Sequence, residues 1–144
     1  MAVSIAVRVV LDTNILVSAC WKPGGNEAEV ARLATTGSIT PCVSAVILAE
    51  YRDVLSRRKL SGISGMATEL LASLERVAVV VEPSAETGAP VQASVDEDDN
   101  RFLECVDAAG AGFLITGNLR HYPEVWGAAR IVNARTFLSL RYKQ

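Results

Sequence analysis

Asp12, Glu50 and Asp99 are the residues of this chain whose settings could do chemistry. Asp12 ends the run Val7-Arg8-Val9-Val10-Leu11, a nearly continuous apolar stretch whose valines suit a strand buried on both faces. A carboxylate at the carboxyl end of such a strand lies where open α/β sheets bind ligands. Glu50 falls on one helical stripe with Val46 and Val54, with Ile47 beside it. Asp99 shares a helical face with Phe102, Leu103 and Val106, while Asn100 and Glu104 point elsewhere. A carboxylate on an apolar stripe is costly unless something pairs with it. Three acids pushed inward repel one another, so they either lie apart or share a cation. Each also has a plainer role. Asp12 could cap a helix through Thr13 and Asn14, Glu50 could pair with an arginine, and Asp99 could complement a helix dipole.

The elements that must position these acids alternate between strand and helix. A loop is expected from Ser18 to Asn26, around Trp21-Lys22-Pro23-Gly24-Gly25. Asn26 can cap a helix to about Thr35, and Ile39 to Val43 reads as a short strand. Ser44 reads as the N-cap of a second helix, Ala45 to about Arg58, closed by Arg57-Arg58-Lys59. A third helix follows from Ser64 to Arg76, then a buried strand over Val77 to Val81. Glu82 to Ser94 reads as a surface loop. Asp96-Glu97-Asp98-Asp99 opens a fourth helix, which Gly110 and Gly112 break. A strand at Phe113 to Thr116, a helical turn at Pro123 to Trp126, a strand at Arg130 to Val132 and a helix at Thr136 to Tyr142 complete the chain. This alternation predicts an α/β fold with a mostly parallel central sheet.

The bulk numbers agree with one globule. The chain of 144 residues suits a single domain, 1–144, and half its residues are hydrophobic. Its net charge of −2 does not advertise a nucleic-acid binder, so a polyanion would meet a local basic patch or metal ions. Cys20, Cys42 and Cys105 are widely spaced and form no C-x-x-C pair, which argues for buried thiols in a cytoplasmic protein. Neither a signal peptide nor a membrane-spanning stretch is expected.

The run Val9-Val10-Leu11-Asp12-Thr13-Asn14, then Ser44 and Glu50, then Asp96 through Glu104, then Ala109 through Asn118, resembles the PIN domain family. More narrowly, it resembles the VapC-like toxin components of bacterial toxin–antitoxin systems, from Arg8 to Leu138. The resemblance implies a three-layer α/β/α sandwich and a metal-dependent ribonuclease. Its site acids would be Asp12, Glu50 and Asp99, with Thr13, Asn14 and Thr116 as polar support. Many members carry Asp where this chain has Asn118 and Gly112. Asn118 can ligate through its amide oxygen without bringing charge, and Asp96 is a further candidate ligand.

Mg²⁺ or Mn²⁺ suits such oxygen donors, could neutralise a phosphodiester and could activate water, which is the chemistry of the endoribonuclease that the resemblance implies. The expected partners are RNA, a cognate antitoxin and, as a family expectation, a second copy. Arg101, Arg120 and His121 are candidates for holding phosphates, whereas Arg57 to Lys59 better suits a helix C-terminus. Trp21 and Tyr122 could stack on bases, though apolar packing is the commoner fate. Rival hydrolases lack their parts. His121 is the single histidine, there is no G-x-S-x-G elbow or Walker A loop, and Asn14 stands where a phospho-aspartyl phosphatase wants a second Asp. A degenerate PIN module that binds RNA or protein without cutting is the competing reading.

Overall fold

Val9, Val10 and Leu11 are all buried, as expected of a strand covered on both faces. They belong to β1 (Arg8–Leu11), which lies inside a six-stranded sheet of order β3-β2-β1-β4-β6-β5. The protein's structure is a computed structural model describing residues 6–57, 62–83 and 99–142. β2 (Thr40–Val43), β3 (Val79–Val80), β4 (Phe113–Ile115) and β6 (Ala129–Val132) run parallel to their neighbours around β1. Among the described residues, only β5 (Val125–Trp126) is antiparallel, paired to β6.

Helices α1 (Thr13–Trp21), α2 (Asn26–Thr35), α3 (Ala45–Leu55), α4 (Ser64–Val77), α5 (Asn100–Ala109) and α6 (Ala134–Tyr142) complete an α/β/α sandwich. α5 packs on β1, β2 and β4, while α2 packs on α1, α4 and α6. From β1 the chain moves to β2 and β3, then returns to β4 on the other side of β1. The strand order therefore reverses between β1 and β4, and that is where a doubly wound sheet opens a crevice.

Local signals account for the helices nearest that crevice. The Ser44 hydroxyl accepts from the Ile47 N–H at 3.3 Å and caps α3. Phe102, Leu103, Cys105, Val106 and Ala109 form the buried face of α5. Gly110 ends α5 in the left-handed region, at φ +62°, where a side chain would be strained.

Several expectations are corrected. The loop begins at Lys22, not Ser18, because Ala19 and Cys20 are buried and extend α1 to Trp21. Val77 to Val81 is no buried strand: β3 has two residues at the sheet edge, and Val80 is 59% exposed. Pro123 to Trp126 is no helical turn. A 3₁₀ turn comes earlier, at Leu119–His121, and Val125–Trp126 pairs with β6 through a tight hairpin at Gly127, whose φ is +59°. The proposed start of the fourth helix at Asp96, the Arg58-Lys59 cluster and most of the Glu82 to Ser94 loop lie outside the described residues.

The three cysteines are free and buried. Among the described residues, no helix is long and apolar enough to cross a membrane.

Tyr51 ties α3 to the end of β1. Its buried hydroxyl donates to the Leu11 carbonyl at 2.5 Å, one residue before Asp12. Tyr51→Phe is expected to lower the unfolding free energy by about 1–2 kcal/mol, read from urea denaturation. An unchanged midpoint would remove this tie from the account.

Candidate active site at the strand ends

Asp12 follows β1 and Thr116 follows β4, so the two stand side by side at the crevice. The Asp12 N–H continues the ladder to the Ile115 carbonyl at 2.9 Å. The Asp12 side chain is 5% exposed and occupies the N-cap position of α1, yet it makes no capping hydrogen bond. Instead Oδ2 accepts from the Thr116 hydroxyl at 2.8 Å and from the Tyr122 hydroxyl at 3.0 Å. The plainer role for Asp12, a helix cap, is therefore not the one its carboxylate plays.

Burial raises the Asp12 carboxyl above the ordinary carboxylate value. The Thr116 hydrogen bond opposes that shift, the Asp99 charge adds to it, the Tyr122 hydrogen bond opposes it, and the Glu50 charge adds to it. The charges of both other predicted acids, Asp99 and Glu50, therefore reach Asp12.

Glu50 reaches the cluster by a route the stripe argument misplaced. Val46 is 52% exposed, and the buried row of α3 is Ile47, Tyr51 and Leu55. At 100° per residue Glu50 stands beside that row, at the boundary rather than inside it. Its Oε2 accepts from the Thr13 hydroxyl, and its Oε1 lies 3.3 Å from the Arg101 guanidinium. Asp99 precedes α5, whose Phe102, Leu103 and Val106 are buried as the periodicity predicts. Asn100 does not point away, as expected, but is buried too. The Asp99 carboxylate meets His121 Nδ1 at 2.8 Å.

Polar residues around the acids are tied in the same way. The Asn14 amide oxygen accepts from the Gly117 N–H at 2.9 Å. A Cβ on Gly117 would come within 3.3 Å of that oxygen, so glycine permits the approach. The Asn118 N–H donates to the Thr116 hydroxyl at 2.9 Å. Asn118, Arg120, His121 and Asn133 line a cleft of about 400 Å³ beside the acids. Arg101 and His121, expected to hold phosphates, are each paired to a site acid. Arg120 is exposed in the cleft. Asp96 lies outside the described residues.

Gly112 is not a site position. Its N–H pairs with the Arg8 carbonyl, at the opposite end of the strands from Asp12, so an acid there would not face the crevice. Tyr122 reads from the sequence only as a ring that could stack on bases; its ring is buried, and its hydrogen bond to Asp12 is the role that sequence reasoning missed. A tyrosine just past a strand end, 8% exposed once folded, needs a partner for its hydroxyl, and that polar handle was the available signal.

The donor types fit a hard divalent cation, being the Asp12 carboxylate, the Asp99 and Glu50 carboxylates whose charges act on it, and hydroxyl and amide oxygens. Among the described residues, no three acid, imidazole or thiol groups already close around a common point. Thr13, Arg101, Thr116, His121 and Tyr122 occupy the carboxylates instead.

A carboxyl with a raised folded pKa binds its proton more readily in the folded than in the unfolded state. Its contribution to stability therefore falls as pH rises from the ordinary 3.8 through the raised value. Without divalent ions, Asp12→Asn is expected to lose less melting temperature than the wild type over that rise. Parallel curves for the two proteins would contradict this account of Asp12.

The model of the PIN domain family matches residues 8–120. An uncharacterised protein of Methanocaldococcus jannaschii is 28% identical over 117 residues, 79% of this chain and 72% of the relative. Among solved structures, the fold is similar to the Rickettsia felis VapBC2 complex bound to promoter DNA, at 18% identity and TM-score 0.57, covering 88% of this chain and 98% of that one. It is also similar to DNA-bound VapBC from Salmonella typhimurium, at 19% identity and TM-score 0.56, covering 89% and 98%. PAE2754 of Pyrobaculum aerophilum gives a TM-score of 0.58 at 14% identity, covering 97% and 100%. With the matching family model spanning most of its length, the chain belongs to the PIN domain family.

Proposed function

We propose that this protein is a metal-dependent endoribonuclease, the toxin of a toxin–antitoxin pair, working as one nuclease domain. Membership of the PIN domain family supports nuclease chemistry in general. The single observation that carries the finer reading is that the charges of Asp99 and Glu50 both act on Asp12, at the switch point of a parallel sheet. Two of the similar folds are VapBC complexes, which supports an antitoxin as the protein partner.

Asp12, Glu50 and Asp99 would hold Mg²⁺ or Mn²⁺, with the Asn118 amide as a neutral oxygen donor. The bound cation would supply charge neutralisation at the phosphodiester and a more acidic water. The chain's own residues do the arranging. Thr116 and Tyr122 fix the Asp12 carboxylate through Oδ2, and Thr13 aims Glu50. Asn14 holds the turn at Gly117 that opens the cleft. Arg120 presents an exposed positive charge in that cleft, suited to an RNA phosphate next to the one being cut. Arg101 pairs with Glu50, and His121 Nδ1 meets Asp99, contacts that a bound cation would have to share or displace.

That arrangement also gives the non-cutting module its one support, because paired acids could be an end state. Single-stranded RNA incubated with Mn²⁺ or Mg²⁺ decides between them. The expected result is endonucleolytic cleavage that chelator stops and Asp12→Asn reduces by about 100-fold or more. RNA bound equally by both proteins and cut by neither would favour the module. Asn118→Asp adds a fourth charge beside the acids and is expected to tighten Mn²⁺ binding, read by calorimetry. Weaker binding in that variant would place Asn118 outside the ligand set.

A further inference from the structure

His121 is the single histidine of the chain, and its contact with Asp99 can do more than hold that acid in place. The backbone fixes it from both sides. Its N–H donates to the Asn118 carbonyl at 3.0 Å within the 3₁₀ turn Leu119–His121. The next residue, Tyr122, is anchored to Asp12 Oδ2 through its hydroxyl. The His121 side chain is 42% exposed, lines the cleft with Asn118 and Asn133, and brings Nδ1 to 2.8 Å from Asp99 Oδ2.

The groups that touch the three acids differ in what they can give a metal. Arg101 carries only donors, so at Glu50 it competes with a cation. Thr13, Thr116 and Tyr122 carry hydroxyl oxygens. His121 carries imidazole nitrogen, among the commonest of protein metal ligands. The 2.8 Å separation suits that role. Two ligands at right angles on an octahedral ion, each about 2.1 Å from it, stand about 3.0 Å apart. A cation can therefore replace the hydrogen between Nδ1 and Oδ2 with little change in the distance between them.

We propose that His121 is itself a ligand of the metal site, paired with Asp99 through Nδ1, and that its nitrogen turns the site from Mg²⁺ toward transition ions. The proposal rests on the metal reading of the acids above, and it adds nitrogen to a donor set drawn there from oxygen alone. Mg²⁺ keeps to oxygen ligands and gives up its waters reluctantly, whereas imidazole suits first-row transition ions.

The test uses the full chain without added histidines, and metal ions alone as probes. Pulsed electron paramagnetic resonance of bound Mn²⁺ detects a directly coordinated nitrogen. With one histidine in the chain, an imidazole signal has one source. The expected result is imidazole coupling in the wild type that disappears in His121→Ala. Calorimetry is the second readout. His121→Ala is expected to lose at least about 10-fold in Co²⁺ affinity and less than about 3-fold in Mg²⁺ affinity.

A histidine that merely orients Asp99 would give no direct coupling and similar losses for both ions, and either result overturns the proposal. The wild-type spectrum decides even where His121→Ala does not fold. Failure of the broader reading looks different. If the wild type binds no divalent ion, the metal reading falls and this proposal with it. If Mn²⁺ binds without imidazole coupling and is lost in Asp12→Asn, the acids keep their role and only His121 loses its own.

Discussion

Repulsion among carboxylates gathered at a largely buried strand end is the constraint on which the rest of this structure turns. Asp12 is nearly enclosed, and both Asp99 and Glu50 push its pKa upward. An uncompensated cluster of this kind would open, since each buried charge needs a partner. The fold answers with donors from four separate elements: Thr13 from α1, Arg101 from α5, Thr116 from the end of β4, and the His121-Tyr122 pair from the following turn. The compensation is local, drawn from elements that meet at one strand end.

Magnitudes say which forces place the acids and which only tune them. Phe102, Leu103 and Val106 are buried beneath Asp99, and Ile47, Tyr51 and Leu55 beside Glu50. Each large apolar side chain contributes about 1.5–3 kcal/mol on burial. A partly exposed pair such as His121 with Asp99 contributes about 0–1 kcal/mol. Apolar packing of α3 and α5 against the sheet therefore decides where the carboxylates stand. The polar contacts decide which way each one points.

The sheet order adds the second requirement. Because β1 lies between β2 and β4, the connection from the carboxyl end of β1 runs toward β2 and that from β4 runs the opposite way, toward β6. The opening so formed receives Asp12 from one strand and Thr116 from the next, held in register by Leu11 opposite Ile115. Gly112 shows the same register from the other side. Opposite Arg8, it sits where no ligand could reach the crevice.

Chain order and hydrophobic period were enough to read the parallel α/β plan, the burial of β1, the Ser44 cap, the free buried cysteines and the apolar face beneath Asp99. Those features depend on neighbours within one or two turns, which a linear pattern records. The edge position of β3, the hairpin at Gly127 and the true inner row of α3 were not legible, because each depends on what packs opposite. Glu50 was singled out for a stripe that proved half exposed, and it still belongs with the acids because Thr13 and Arg101 reach it from other elements. Tyr122 makes the division clearest. The sequence by itself determined that an aromatic follows the strand end. Only tertiary structure decided that its hydroxyl meets Asp12, 110 residues earlier in the chain, because hydrogen bonds at that separation are set by the packing of the sheet and not by any local preference of the backbone.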